Sequence, residues 1–252
     1  MEAEKLDLSE PEKIRLEPAE FVKTFGKTLI VAPHADDESL GCGGAVALLR
    51  KFGLEVSILL LSDGTLSHPN SVKYPPPRLR ELRETELRAA AKILGADAEK
   101  IIFARYRDRR VPHEHSDSFP AAVARIRKIL SAEKPATIFV PWRRDPHPDH
   151  RAAFQLIAAA KSASHRIVEY PIWLYELAAG GDAPRKTEVT AFRLDIGAVV
   201  ELKQRAIRAH RSQISDLIDD DPAGFRLSAE VLRNFAAPFE IFLTAKSDER
   251  TS

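Results

Sequence analysis

Apolar positions along the chain fall into short continuous runs separated by longer segments of helical period. Residues 28–32, 55–61, 101–104 and 136–141 are almost wholly apolar. Runs this short, without polar alternation, read as strands covered on both faces. Between and after them lie segments 39–52, 78–94, 119–133 and 151–160, each read as a helix. The second places Leu79, Leu82, Leu87, Ala90, Ala91 and Leu94 on one stripe, and Gly53 and Gly95 follow the first two as stops. Ser39 reads as the N-cap of the first. Regular alternation of strand and helix through residue 160 predicts an α/β fold of three layers, a mainly parallel sheet flanked by helices.

Beyond residue 160 the alternation weakens. Residues 167–175 read as a strand interrupted by Pro171, 189–196 as a strand, 198–212 as a helix, 228–235 as a short helix and 239–244 as a final strand. Residues 62–77 and 105–117 are loops, the first stiffened by Pro75, Pro76 and Pro77, and 216–221 form an acidic loop. Residues 1–24 are charge-rich and read as a loosely packed extension with a short helix at 18–23, and residues 25–252 as one domain.

Composition narrows the function classes. At 252 residues and 44% apolar, the chain can bury one sizeable core. A net charge of +1 gives no global pull toward nucleic acid. A single cysteine excludes an internal disulfide framework and fits a reducing compartment. No run approaches the ~18 apolar residues of a membrane span, and the charged N-terminus lacks the apolar core of a signal peptide. A cytoplasmic protein is expected, and its oligomeric state is left open.

The candidate chemistry sits at two strand ends. After the run 28–32 come Pro33, then His34, Asp36, Asp37 and Glu38, then Ser39 and Gly41-Cys42-Gly43-Gly44. The same grammar returns after 136–141, as Trp142-Arg143-Arg144-Asp145-Pro146-His147-Pro148-Asp149-His150. Strand ends of an open α/β sheet gather at its carboxyl edge, where such sheets bind ligands. Carboxylates and imidazoles crowded there need a cation or open solvent. His34, Asp37 and His150 would give two imidazoles and a carboxylate with a position left for water, as catalytic zinc sites do. The same set suits Fe2+ or another divalent ion. Asp36 and His147 stay beside it for proton transfer.

The segment His34-Ala35-Asp36-Asp37-Glu38, paired with His147-Pro148-Asp149-His150, resembles the signature of the zinc-dependent N-acetylglucosaminyl deacetylase superfamily. That group includes the phosphatidylinositol-glycan, mycothiol and bacillithiol pathway deacetylases. The likeness runs from about residue 27 to about residue 160, with an echo at His210-Arg211-Ser212-Gln213. Ala35 stands where many members have proline, which leaves the ligand atoms untouched. The resemblance implies a Rossmann-like fold and Zn2+ held by His34, Asp37 and His150. It further implies Asp36 as general base, a protonated His147 at the oxyanion, Asp149 orienting His147 or His150, and Arg83 touching substrate. The implied substrate is a small N-acylated amino sugar. Arg105, Arg107, Arg109, Arg110, Arg143 and Arg144 would form a positive rim for an anionic one, unless paired with nearby acids such as Asp108.

Other readings compete. Gly41-Cys42-Gly43-Gly44 with Asp63 resembles a dinucleotide fingerprint, although the third glycine falls early and the Asp-Asp-Glu run would repel a pyrophosphate. An amidase acting on a non-sugar N-acyl group, and a metal-binding protein without hydrolytic activity, are further alternatives; the spare Asp36 argues against the last. Cys42 reads as a buried small apolar residue, Glu38 as a first-turn carboxylate facing the helix dipole, and His210 as a structural polar residue. His113 and His115 read as solvated loop residues.

Overall fold

The computed structural model describes residues 4–179 and 181–246. Eight strands form one sheet: β1 (Leu16–Glu17), β2 (Thr28–Ala32), β3 (Val56–Ser62), β4 (Ile101–Tyr106), β5 (Thr137–Pro141), β6 (Arg166–Tyr170), β7 (Val189–Asp195) and β8 (Phe239–Ala245). Their order is β1-β7-β8-β6-β5-β2-β3-β4. The five strands β6-β5-β2-β3-β4 are mutually parallel, while β8 runs antiparallel to both of its neighbours. The central strands show why continuous apolar runs were needed. Ile30 and Ala32 of β2 enter one core, Leu29 and Val31 the other, and β3 divides in the same way.

Helices α1 (Asp37–Lys51) and α2 (Pro76–Ile93) contribute to the first core, and α3 (Phe119–Glu133) and α4 (Pro148–Ala160) to the second. Helix α5 (Val200–Ala209) packs on α1 and α2 and completes that layer. The result is the predicted three-layer α/β arrangement. From β2 the chain moves outward through β3 and β4, then returns to place β5 on the opposite side of β2. This reversal opens a crevice at the carboxyl ends of β2 and β5.

Several local expectations shift. Helix α1 starts at Asp37 with Asp36 as N-cap, and the Ser39 hydroxyl bonds Glu38 instead. The segment read as one helix over 198–212 breaks at His210 into α5 and the short α6 (Arg211–Ile214). There the buried His210 Nε2 lies 2.9 Å from Glu38 Oε1, so a tertiary contact overrides the helical period. Strand β6 ends at Tyr170, and Trp173–Tyr175 form a 3-10 turn after Pro171. The N-terminal segment is not uniformly loose. β1 pairs with β7, and a 3-10 helix, Ala19–Phe25, buries Val22 and Phe25. Residues 1–3 of that segment lie outside the described residues.

Helix α1 is buried from Asp37 to Leu49, which explains its glycines. A Cβ at Gly41 would meet the Tyr170 ring at 2.3 Å, and one at Gly44 would meet Ile196 at 2.5 Å. The glycines therefore allow close packing within a helix and do not shape a phosphate-binding loop, which removes the dinucleotide reading. Beside them the buried Glu240 carboxylate accepts the N–H groups of Gly44 and Ala45 and faces Lys203 Nζ at 2.9 Å. Truncating one partner of such a pair strands the other charge. Glu240→Ala is expected to lower unfolding free energy by about 3–5 kcal/mol, measured by denaturant titration.

Candidate metal centre

The crevice between β2 and β5 is lined by the loop after β2 and the first turn of α4. His34 leaves the end of β2, and Asp36 and Asp37 begin α1. Asp36 adopts φ 152°, ψ −28°, a conformation costly for a residue with a Cβ, and such strain gathers at functional sites. His147 caps α4, its Nδ1 accepting the Asp149 N–H at 3.2 Å, which leaves the proton of a neutral ring on Nε2.

Asp37 occupies the middle of the cluster. Its Oδ2 lies 3.4 Å from His34 Nδ1 and 3.2 Å from His150 Nε2, and it also accepts the His34 N–H at 2.9 Å. Two donors on a tetrahedral ion at ~2.0–2.1 Å lie about 3.4 Å apart. The observed spacings match that. Neither nitrogen of the buried His150 ring makes a hydrogen bond, although a carboxylate lies close to each. The far side of each imidazole is also faced by carboxylate. His34 Nε2 lies 3.2 Å from Asp149 and 3.5 Å from Asp108, and His150 Nδ1 lies 3.2 Å from Asp145. Carboxylates behind metal-facing imidazoles fix ring orientation and raise ligand basicity. Among the described residues two donor sets have ligand atoms within 4.8 Å of one another: His34, His147 and His150, and His34, Asp108 and Asp149. In the first set the Nδ1 of His147 already accepts the Asp149 N–H.

The electrostatics follow from burial and crowding. Burial would lower the His34 imidazole, but Asp108, Asp149 and Asp37 hold it well above the usual histidine range. Burial likewise opposes His150, which Asp37 and Asp145 push up to about 9. Burial would raise Asp37, but His150 and His34 hold it well below the usual carboxylate range. The cluster demands positive charge, which ring protons or a dication supply. Burial raises Asp36 to about 6, against the pull of Arg83. Burial, then His150 and His34, push His147 down to about 3. With its Nδ1 accepting the Asp149 N–H, a neutral His147 ring presents Nε2–H as a donor.

The remaining expectations divide. The Asp149 carboxylate meets His34 and accepts the Arg109 and Val111 N–H groups, so its side chain orients neither His147 nor His150. Arg83 lines the pocket but is only 3% exposed, bonding the carbonyls of Gly64 and Ala35 and lying 3.8 Å from Asp36. Half of the expected arginine rim is paired: Arg105 with Glu84, Arg143 with Glu169, and Arg144 with Glu188. His113 and His115 are exposed and Cys42 is buried, as read. Sequence reasoning missed Asp108 and Asp145. Asp145 stood two residues before His147 as a signal; Asp108 looked like one more acid among arginines. A cavity of about 230 Å³ opens beside the cluster, with Asp36, Arg83 and Gln213 among its polar lining and Trp173, Leu177 and Phe225 on its apolar wall.

Residues 29–161 match the family model described as PIG-L: GlcNAc-PI de-N-acetylase. The chain belongs to this family. Both motifs lie inside the matched span. A similar relative is the diacetylchitobiose deacetylase of Thermococcus kodakarensis, at 31% identity over 213 residues, covering 79% of this chain and 73% of the relative. Another is the 1D-myo-inositol 2-acetamido-2-deoxy-alpha-D-glucopyranoside deacetylase of Actinosynnema mirum, at 26% identity, covering 75% of this chain and 81% of the relative. Among solved structures, the N,N'-diacetylchitobiose deacetylase of Pyrococcus horikoshii superposes with a TM-score of 0.62 at 27% identity, covering 84% of this chain and 76% of that one. No helix among the described residues is long and apolar enough to cross a membrane.

Asp145 ties the loop that carries His147 and His150 to the segment at Trp173 on the pocket wall. It accepts the N–H groups of His147, Ile172 and Trp173 while facing His150. Asp145→Ala strands three N–H groups, two of them on the pocket wall, and is expected to cost at least about 2 kcal/mol of stability by thermal or chemical denaturation.

Proposed function

We propose that this protein is a metal-dependent hydrolase that removes the N-acyl group, acetyl in the first instance, from an amino-sugar derivative. The observation that carries this reading is Asp37 held between His34 and His150 at ligand spacing, with Asp36 beside it and bonded to neither ring. Family membership supports the reaction class. The named substrates of the relatives, all N-acetylated sugars, support the substrate class. His34 Nδ1, Asp37 Oδ2 and His150 Nε2 would hold the ion, with Zn2+ favoured by the donor set and Fe2+ the rival. When bound, the ion polarises the acyl carbonyl and makes water a stronger acid.

The chain's own groups do the rest. Asp36, its carboxylate buried and its backbone strained, takes a proton from the attacking water. The water oxygen bonds to the acyl carbon, and the C–N bond breaks. His147 Nε2–H donates to the developing oxyanion as a neutral ring. The proton held on Asp36 passes to the departing amine, which leaves as the free amino sugar beside the acid product. Asp145 holds His150, and Asp108 and Asp149 hold His34, so neither ring must reorient during turnover. Arg83 stabilises the charged form of Asp36 and keeps it usable as a base near neutral pH.

Two measurements test this. Acetate release from N-acetylated sugars should stop with a chelator and return with added Zn2+. Elemental analysis should find metal retained in Asp36→Ala but lost in Asp37→Ala and His150→Ala, with turnover of Asp36→Ala lower by about 10²–10⁴. Loss of metal from Asp36→Ala would overturn the division between base and ligand. The pH profile is the second. A base must be deprotonated, so kcat/KM should fall as pH drops through about 6. Arg83 lowers the Asp36 pKa, so Arg83→Gln should move that limb to higher pH; an unmoved limb would sink the pairing.

A further inference from the structure

We propose that Gln213 is a specificity-determining residue whose Oε1 accepts a hydrogen bond from a hydroxyl of the amino-sugar substrate; this rests on the function proposed above. Gln213 is 0% exposed, yet it lines the cavity beside Asp36. Its Oε1 is buried and has no hydrogen-bond partner. Buried carbonyl oxygens in native proteins are ordinarily satisfied, and one left unmade at the wall of a ligand pocket is poised for a ligand donor.

The orientation of the amide follows from its neighbours. Ser212 Oγ donates its only proton to Glu86 Oε2 at 2.6 Å, and the Ser212 N–H goes to Glu86 Oε1 at 2.8 Å. Ser212 Oγ can then only accept, and it accepts from Gln213 Nε2 at 2.8 Å. Turning the amide over would set two acceptors against each other. Oε1 is thereby fixed as the free end. The backbone is pinned as well: the Gln213 N–H bonds the His210 carbonyl, and its own carbonyl accepts the Leu227 N–H.

The kind of donor follows from what else in the cavity lacks a partner. Arg83 Nε, a donor only, is also buried and unpartnered, and Arg83 lines the same cavity. Of the fully buried groups on lining residues, one donor and one acceptor lack partners, and a hydroxyl can serve either. A secondary amide N–H can only donate. Leu40 and Leu227 close the inner wall, so a substrate lacking the hydroxyl leaves the acceptor facing apolar surface.

The test compares wild type and Gln213→Met on the methyl glycoside of N-acetylglucosamine, its monodeoxy analogues and its N-methylated acetamide. In wild type one monodeoxy analogue should lose about ten- to a hundredfold in kcat/KM. In Gln213→Met that same loss should shrink to within about threefold of unity, while the other analogues keep their wild-type penalties. Penalties that all persist in the variant overturn the proposal. Coupling confined to the N-methylated analogue overturns the hydroxyl assignment. Gln213→Met loses only the Nε2 bond to Ser212 Oγ, so it should melt cooperatively within a few degrees of the wild type; loss of the cooperative melt makes the amide structural and overturns the proposal. Absence of wild-type turnover on every sugar overturns the proposed function, and the hydroxyl assignment with it. Turnover without coupling overturns only the role of Gln213.

Discussion

The structure depends on one electrostatic constraint: Asp37 is a buried carboxylate gripped between two imidazoles that arrive from opposite sides of a strand reversal. Burying such a charge alone would cost several kcal/mol. His34 and His150 make it tolerable, and each of them is backed by a further carboxylate. Alternating charge spreads outward from Asp37 through Asp108, Asp145 and Asp149 into the backbone of three loops. The site is therefore rigid before any ligand arrives, as catalysis by positioned dipoles requires.

The scaffold supports that constraint by close packing. Helix α1, which carries Asp37, lies so near β6 and the segment after β7 that glycine is required at its contact points. Glu240, reaching from the start of β8, fixes the middle of the same helix through two backbone N–H groups. Behind its first turn, Glu38 accepts the Asp36 N–H and faces His210. The antiparallel extension β7–β8 thus serves the site from the far side of the sheet, although it contributes no side chain to the metal cluster.

Much of the fold could be read from the chain. The runs 28–32 and 119–133 match observed elements residue for residue, because uninterrupted apolar strands and a clean helical stripe leave little to tertiary choice. Boundaries failed where a distant partner intervened. His210 leaves the helical path to reach Glu38. Residues 16–17 become a strand only because β7 offers an open edge. The arginines after β4 and β5 looked like an anion rim, but Arg105, Arg143 and Arg144 are drawn onto acids whose proximity no local pattern reveals.

For the site itself, the sequence determined which side chains could act together: His34, Asp36, Asp37, His147 and His150 announce themselves by type, spacing and position at two strand ends. Only the tertiary structure decided their arrangement. It put Asp37 between the rings, kept Asp36 apart beside Arg83, turned Asp149 toward His34, and left the buried Gln213 Oε1 without a partner at the pocket wall. The physical reason is that donor chemistry belongs to a residue, whereas burial, the neighbouring charge and the direction of a hydrogen bond belong to a place. Those properties arise only when strands far apart in sequence lie side by side.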